Sequence, residues 1–250
     1  MDLMIEKMLG FTMVLTRMST FFIVAPVFSW KSIPVRIKVA MIMLLAIFFS
    51  MITPFAVDSK NVTTLKAVLL LSNEAIYGLA LGLIVAFVFT AVKFCGRIIE
   101  RQMGLTMAEI LDPLTGDMGQ PVGMLLETIF ILLLLSANGH HIFLLIISRS
   151  YETFPAGTIP KVPMLVEGII TASSTMLIAG LRLSAPILGA FMLLMVTLAV
   201  LARIAPEMNI LFLSLPMRVG LGLLMVGIFL PLVNSFVPEF ADWMGKLLPL

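Results

Sequence analysis

Apolar residues gather into long runs near residues 8–30, 39–57, 67–92, 122–147, 164–202 and 207–237. A helix needs about 20 residues to cross a bilayer, and each run is of that order or longer. The fifth run could hold two shorter helices, with Arg182 and Pro186 as the expected break, because proline removes a backbone donor and crowds the preceding turn. Six or seven helical segments are therefore expected. No stretch alternates with period two, which argues against a barrel. No internal repeat or flexible linker is visible, so a single domain over 1–250 is expected. The fold class is all-α: a multi-helix integral membrane protein. The opening stretch MDLMIEKMLGFTMVLTRMSTFF reads as a first helix rather than a cleaved signal, since Asp2 and Glu6 offset Lys7 and Arg17 interrupts the apolar run.

Composition strengthens this picture. The chain is 60% hydrophobic and 12% charged, with a mean hydropathy of +1.14, where soluble domains average about 25% charged. So much apolar surface calls for lipid or many protein neighbours. A net charge of +2 is too small to suggest nucleic acid. The single cysteine, Cys95, excludes an internal disulfide and says little about compartment. Twenty methionines fit flexible packing between helices, or a soft surface that reseals around variable partners.

Charge placement raises a problem. Lys31, Arg36 and Lys38 form one basic cluster, and Lys93, Arg97 and Arg101 another. Two spans separate them, so both can be cytoplasmic, which puts the N-terminus outside. Between Arg101 and Arg149 there is no lysine or arginine, and the charges are Glu109, Asp112, Asp117 and Glu127. Such an acidic stretch suits the outer side, yet no apolar run separates it from Arg101. A re-entrant or protein-buried loop resolves the conflict, because irregular backbone survives at membrane depth only inside protein or along a water-filled path.

The stretch concerned is GLTMAEILDPLTGDMGQPVG, residues 104–123. Asp112-Pro113-Leu114-Thr115 suits a type I turn, and Gly116 and Gly119 allow positive φ. Met107, Ile110, Leu111, Leu114 and Met118 make it unusually apolar for a solvated loop. It reads either as a segment that fills a cavity or as an ordinary surface loop.

Arg17, Glu74, Glu127, Glu167, Arg182, Arg203, Glu207 and Arg218 lie within or beside the apolar runs. Each costs about 2.5–3.5 kcal/mol when facing lipid at a helix centre, so most must meet protein, water or each other. A transporter could use them as an ion relay, and a complex as ties between subunits. Those near helix ends, such as Arg203 and Arg218, could also snorkel to an interface. Pro26, Pro34, Pro54, Pro113, Pro121, Pro186, Pro206, Pro216 and Pro231 bend or end helices, which suits a curved wall of several chains better than a plain bundle. GLALG, Gly78 to Gly82, has the small-xxx-small spacing of close helix contact.

Catalytic signatures are absent: there is no HExxH, GxSxG, GxxxxGK[ST] or paired-cysteine spacing. His140 and His141 are neighbours, and on a helix neighbours point about 100° apart. The NGHH sequence reads as the end of a span or a tight turn between two. No enzyme activity, metal or cofactor is expected.

Five stretches together resemble the FliR family of flagellar export proteins, called SctT in the related injectisomes. They are RMSTFFIVAPVFSWKSIPVRIKVAM (17–41), GRIIERQMGLTMAEILDPLTG (96–116), NGHHIFLLIISRSYETFPAG (138–157), SAPILGAFM (184–192) and RIAPEMNILFLSLPMRVGLGL (203–223). The second stretch and the HH turn look more like the flagellar branch. Glu207 stands where the family often has Gln. The resemblance implies a subunit that joins FliP and FliQ in a helical, closed-tip channel of the inner membrane, within the flagellar basal body. FlhB and other export apparatus proteins would be partners, and unfolded flagellar proteins would be cargo. It implies hairpin helices largely lifted out of the bilayer plane. It also implies that the loop at Met107, Glu109, Ile110, Leu111, Asp112, Pro113, Leu114, Thr115, Gly116, Asp117 and Met118 plugs the resting pore. Arg203, Pro206, Glu207 and Asn209 would shape a junction touching FliP, FliQ or FlhB, with Arg17, Glu74 and Arg182 as further ties between subunits.

Two other readings stand beside it. One is an injectisome subunit that exports effectors by the same mechanism. The other is a lone transporter of ions or small molecules, whose two related halves are not seen in this sequence.

Overall fold

The structure is a computed structural model and describes residues 2–29, 33–53, 63–105, 120–158, 162–207 and 209–247. Its described elements are eight helices: α1 (Asp2–Val24), α2 (Pro26–Ser29), α3 (Val35–Ile52), α4 (Thr64–Met103), α5 (Pro121–Ser136), α6 (His140–Thr153), α7 (Val162–Ile204) and α8 (Ile210–Leu247). Five contain stretches long and apolar enough to cross a membrane, and a sixth span results if α5 and α6 form one broken span. The chain is a multi-helix membrane protein, as its hydropathy requires.

The helices depart from the apolar runs in three places. α4 continues past the third run, through Lys93, Arg97 and Arg101, to Met103. At 40 residues it is about 60 Å long, so a hydropathy run does not mark its end. The fourth run is split at Ala137–Gly139, where Asn138 has φ 58°, a left-handed conformation that asparagine tolerates better than most residues. The expected turn at NGHH is thus present. The fifth run does not break: α7 runs unbroken through Arg182 and Pro186. Proline deletes one hydrogen bond, to the carbonyl four residues back, and in apolar surroundings the remaining ladder has no better partner than itself.

Two compact units emerge. The first comprises Met1–Val88, Asn138–Ser174 and Ala241–Leu250, and the second Phe89–Ala137 and Thr175–Phe240. Each is built from separated stretches, and α4, α7 and α8 contribute to both. In the first unit α1 packs against α2 and α3. Met13, Val14, Met18, Phe21 and Tyr77 are buried there, and Tyr77 stacks on Phe154 at 4.9 Å. In the second unit Phe89 and Phe130 meet edge-on at 5.5 Å, both fully buried.

Glycines set how closely α4 is approached. A Cβ on Gly78 would fall onto Thr20 Oγ1 and the Arg17 carbonyl, and one on Gly82 would lie 2.8 Å from Val24 Cβ. The GLALG spacing is therefore a contact face for α1. Further along, a Cβ on Gly96 would strike the backbone of Gly123. In the same unit, one on Gly180 would come within 2.8 Å of Phe94.

Candidate functional site

The first unit buries an arginine. Arg17 is 1% exposed and Glu74 is 0% exposed. α1 presents Arg17 to α4 beside Gly78, where the missing side chain lets the two backbones close. Arg17 Nε donates to Glu74 Oε2 at 2.7 Å. Its remaining nitrogens donate to the carbonyl and hydroxyl of Ser150, both at 3.3 Å, and to the carbonyl of Phe154 at 3.0 Å. The guanidinium carbon lies 4.2 Å from the Tyr151 ring centre and 4.8 Å from that of Tyr77. Glu74 uses its second oxygen to accept the Gly157 N–H at 2.9 Å, where Gly157 has φ 88°. One charge pair thus joins α1, α4, α6 and the turn that follows α6. Its full set of partners offsets the desolvation that makes buried ions costly. The pairing is within the chain, and both side chains face its own interior.

The second unit holds a stem for the stretch singled out by sequence. α4 and α5 lie antiparallel across matched contacts: Phe89 with Phe130, Lys93 with Glu127 at 3.3 Å, Gly96 against Gly123, and Arg97 with Gln120. α4 ends in a Schellman motif, since the Gly104 N–H donates to the Arg101 carbonyl and the Leu105 N–H to the Glu100 carbonyl, both at 3.2 Å. Gly104 takes φ 79°, which is why glycine serves there. α5 opens with Pro121 at its first position, and its N-cap Gln120 supplies no side-chain cap. The Glu100 carboxylate supplies it instead, with Oε1 accepting the N–H groups of Val122 and, at 3.0 Å, Gly123. Glu100 is 3% exposed. Met107 to Met118, the residues of the expected plug, lie outside the described residues, but both ends of the stretch are fixed by this stem.

The other expected contact residues lie on the surface of the chain. Arg182, on α7, is exposed, as are Arg203 at the end of α7 and Pro206, Glu207 and Asn209 in the junction to α8. Among the described residues none of the charged ones forms an ion pair within the chain. Leu177, Ile178 and Leu181 are exposed beside Arg182, so its charge sits on an apolar face. His140 and His141 bring their ring centres to 4.2 Å, closer than their offset along a helix suggested.

Sequence reasoning missed Glu100, Tyr77, Tyr151 and Ser150. The available signal for Glu100 was indirect: a proline at the start of α5 with no Ser, Thr, Asp or Asn before it. A helix start without its own cap needs a partner from elsewhere.

Known proteins match along nearly the whole chain. The family model described as bacterial export proteins, family 1, matches residues 8–243. The flagellar biosynthetic protein FliR of Pectobacterium carotovorum subsp. carotovorum is 29% identical over 224 residues, which is 90% of this chain and 85% of that protein. The FliR of Bacillus subtilis (strain 168) is 29% identical over 234 residues, covering 90% and 88%. The Yop proteins translocation protein T of Yersinia pestis is 28% identical over 233 residues, covering 91% and 88%. With its helices, its close-packed glycine face and its capped α4–α5 stem carried within the matched residues, this chain belongs to family 1 of the bacterial export proteins.

Proposed function

We propose that this chain is a non-enzymatic subunit of the flagellar type III export gate. In this reading it joins FliP and FliQ in the channel through which unfolded flagellar proteins cross the inner membrane, with FlhB on the cytoplasmic side. The observation that carries the reading is the family match over residues 8–243, with flagellar relatives aligned along 90% of the chain. The exposed apolar faces of α3, α7 and α8 support it, because a chain that leaves Phe48, Met192, Leu193 and Phe212 open needs lipid or partner helices to cover them. Arg182, Arg203, Pro206, Glu207 and Asn209 are the residues that would meet those partners. Arg17 and Glu74 would serve the assembly through the fold of the subunit.

Residues 107–118 act as the plug of the resting pore in this proposal. Their apolar side chains seal, their Pro and Gly residues fold the segment back, and they carry no basic charge. The stem supports this by holding the two ends of the segment together in one unit.

The test is flagellin in the medium from cells lacking the chain, with cytoplasmic flagellin as control. Loss of secretion that the gene restores is expected. Normal secretion overturns the flagellar reading. The Yersinia relative is the observation that favours effectors of an injectisome as the cargo in that event. Deleting 107–118 is expected to leave assembly intact and make the membrane leaky to ions.

A further inference from the structure

In the first unit, α1 and α3 pack closely over only part of their length. The buried residues of α3 are Ile42, Ala46 and Phe49, so its first two turns carry none and leave a cleft against α1. The cleft has a volume of about 460 Å³. Its walls include Phe22 and Phe28, with ring centres 4.4 Å apart, together with Val39 and Ile42. Ser19 and Lys38 are its polar lining residues, and no acid lines it among the described residues.

The charge at the mouth of the cleft has one sign. Arg36 precedes Val39 and Met43 of the lining by three and seven residues, so it stands on their side of α3, at the rim. It is exposed and forms no ion pair among the described residues. Arg36 and Lys38 both lie in the first turn of α3, which contains no acid and has no side-chain cap. The start of a helix carries partial positive charge and favours anions, so two cations there oppose it and each other. Water at the rim would solvate the charges and leave the apolar walls wet. A molecule with an anionic head and an alkyl tail satisfies both. A partner helix fits less well, because a helix is about 10–12 Å across and rises about 5.4 Å per turn, and the cleft has room for only about one such turn. An extended alkyl chain needs no more than a narrow slot.

We propose that this cleft binds an anionic phospholipid, with one alkyl chain between α1 and α3 and the phosphate against Arg36 and Lys38. Basic pockets between membrane helices on the cytoplasmic side suit such head groups, and charge placement assigns the basic cluster of α3 to that side. Lipid in the cleft would fasten α3, the least buried of the candidate spans, to α1. The inference rests on the multi-helix membrane fold and is independent of the pore-plug reading.

The test uses the full chain expressed with its partner subunits, extracted in mild detergent and titrated with phosphatidylglycerol, with phosphatidylcholine as the zwitterionic control. Native mass spectrometry counts the bound lipid. Wild type is expected to prefer phosphatidylglycerol, and the preference to shrink as salt is raised. A basic residue near an anionic head group contributes about fivefold. Arg36→Gln is therefore expected to weaken phosphatidylglycerol binding by about that factor, and Arg36→Gln with Lys38→Gln by about twentyfold. Val39 is 52% exposed, so Val39→Trp is expected to fold, fill the slot and lose one phosphatidylglycerol per complex. Equal binding of the two lipids by wild type overturns the proposal, as does wild-type phosphatidylglycerol binding in the double variant. If the double variant does not assemble, Arg36→Gln and Val39→Trp decide, and wild-type binding in both overturns it. Phosphatidylglycerol that the lone chain binds at this cleft and the assembled complex excludes also overturns it, in favour of a segment of a partner subunit as the occupant.

Discussion

At the residue scale, Arg17 and Glu74 form the one fully buried ion pair among the described residues. Removing one partner of a buried ion pair leaves the other charge uncompensated, at a cost of about 3–5 kcal/mol. Arg17→Ala is expected to lower the thermal midpoint in detergent strongly, because it strands Glu74 and the carbonyls of Ser150 and Phe154 together. Glu74→Gln is expected to lose less, since an amide oxygen can still accept the Gly157 N–H. Arg17→Lys is expected to fall nearer to Ala than to wild type. A lysine cannot reach the carboxylate and the two carbonyls with a planar fork, or lie flat between Tyr77 and Tyr151. Equal midpoints for Arg17→Lys and wild type would show that charge alone, without the fork geometry, accounts for the stability. From the sequence both residues were recognisable as costly charges in apolar runs. That each was the other's partner was not, because 57 positions separate them.

At the element scale, helix contacts are decided by which glycine faces which backbone. Gly78→Ala would place a methyl against the Arg17 carbonyl and Thr20. Backbone cannot yield as a side chain does, so a loss at or above the 1–3 kcal/mol typical of overpacking, about 3 kcal/mol, is expected. Gly189→Ala meets nothing within 4 Å on α7 and should be neutral or slightly stabilising, by up to about 1 kcal/mol of helix propensity. Thermal unfolding of the two variants side by side checks the contrast, and equal losses would remove the contact argument. The small-xxx-small spacing was legible in GLALG. Sequence spacing did not distinguish Gly78 from Gly189, since both lie in apolar helices and only the neighbour differs. The same limit explains Pro186, whose local preference to end a helix yields to the absence of any other partner for the backbone around it.

At the scale of the whole molecule, burial is uneven. About 61% of the most apolar window of α4 is buried, against 11% for α3 and 17% for α7 and for α8. α4 is the most buried of the candidate spans, while α3, α7 and α8 leave most of their apolar windows uncovered by the described residues. An arginine on such a face is stable only if an acidic or polar partner covers it. Arg182→Leu is therefore expected to leave the chain folded but reduce co-purification of partner subunits in detergent, by more than Gly189→Ala does. Unchanged recovery would mean that Arg182 reaches water at an interface instead.

The sequence by itself determined the class of the molecule and the inventory of its problems. Long apolar runs can only be helices in lipid or against other chains, and charges within them must find partners, whatever the fold. It also marked a span end or turn at NGHH and a loop over residues 104–123, because glycine, proline and polar residues interrupt the apolar runs there. Only the tertiary structure decided how those problems are solved. It paired Arg17 with Glu74, carried α4 and α7 through the points where hydropathy or proline suggested an end, and gave the cap of α5 to Glu100 on another helix. These outcomes depend on residues that meet in space and are far apart in the chain. A hydrogen bond or an ion pair is chosen by distance, and distance is not written in periodicity.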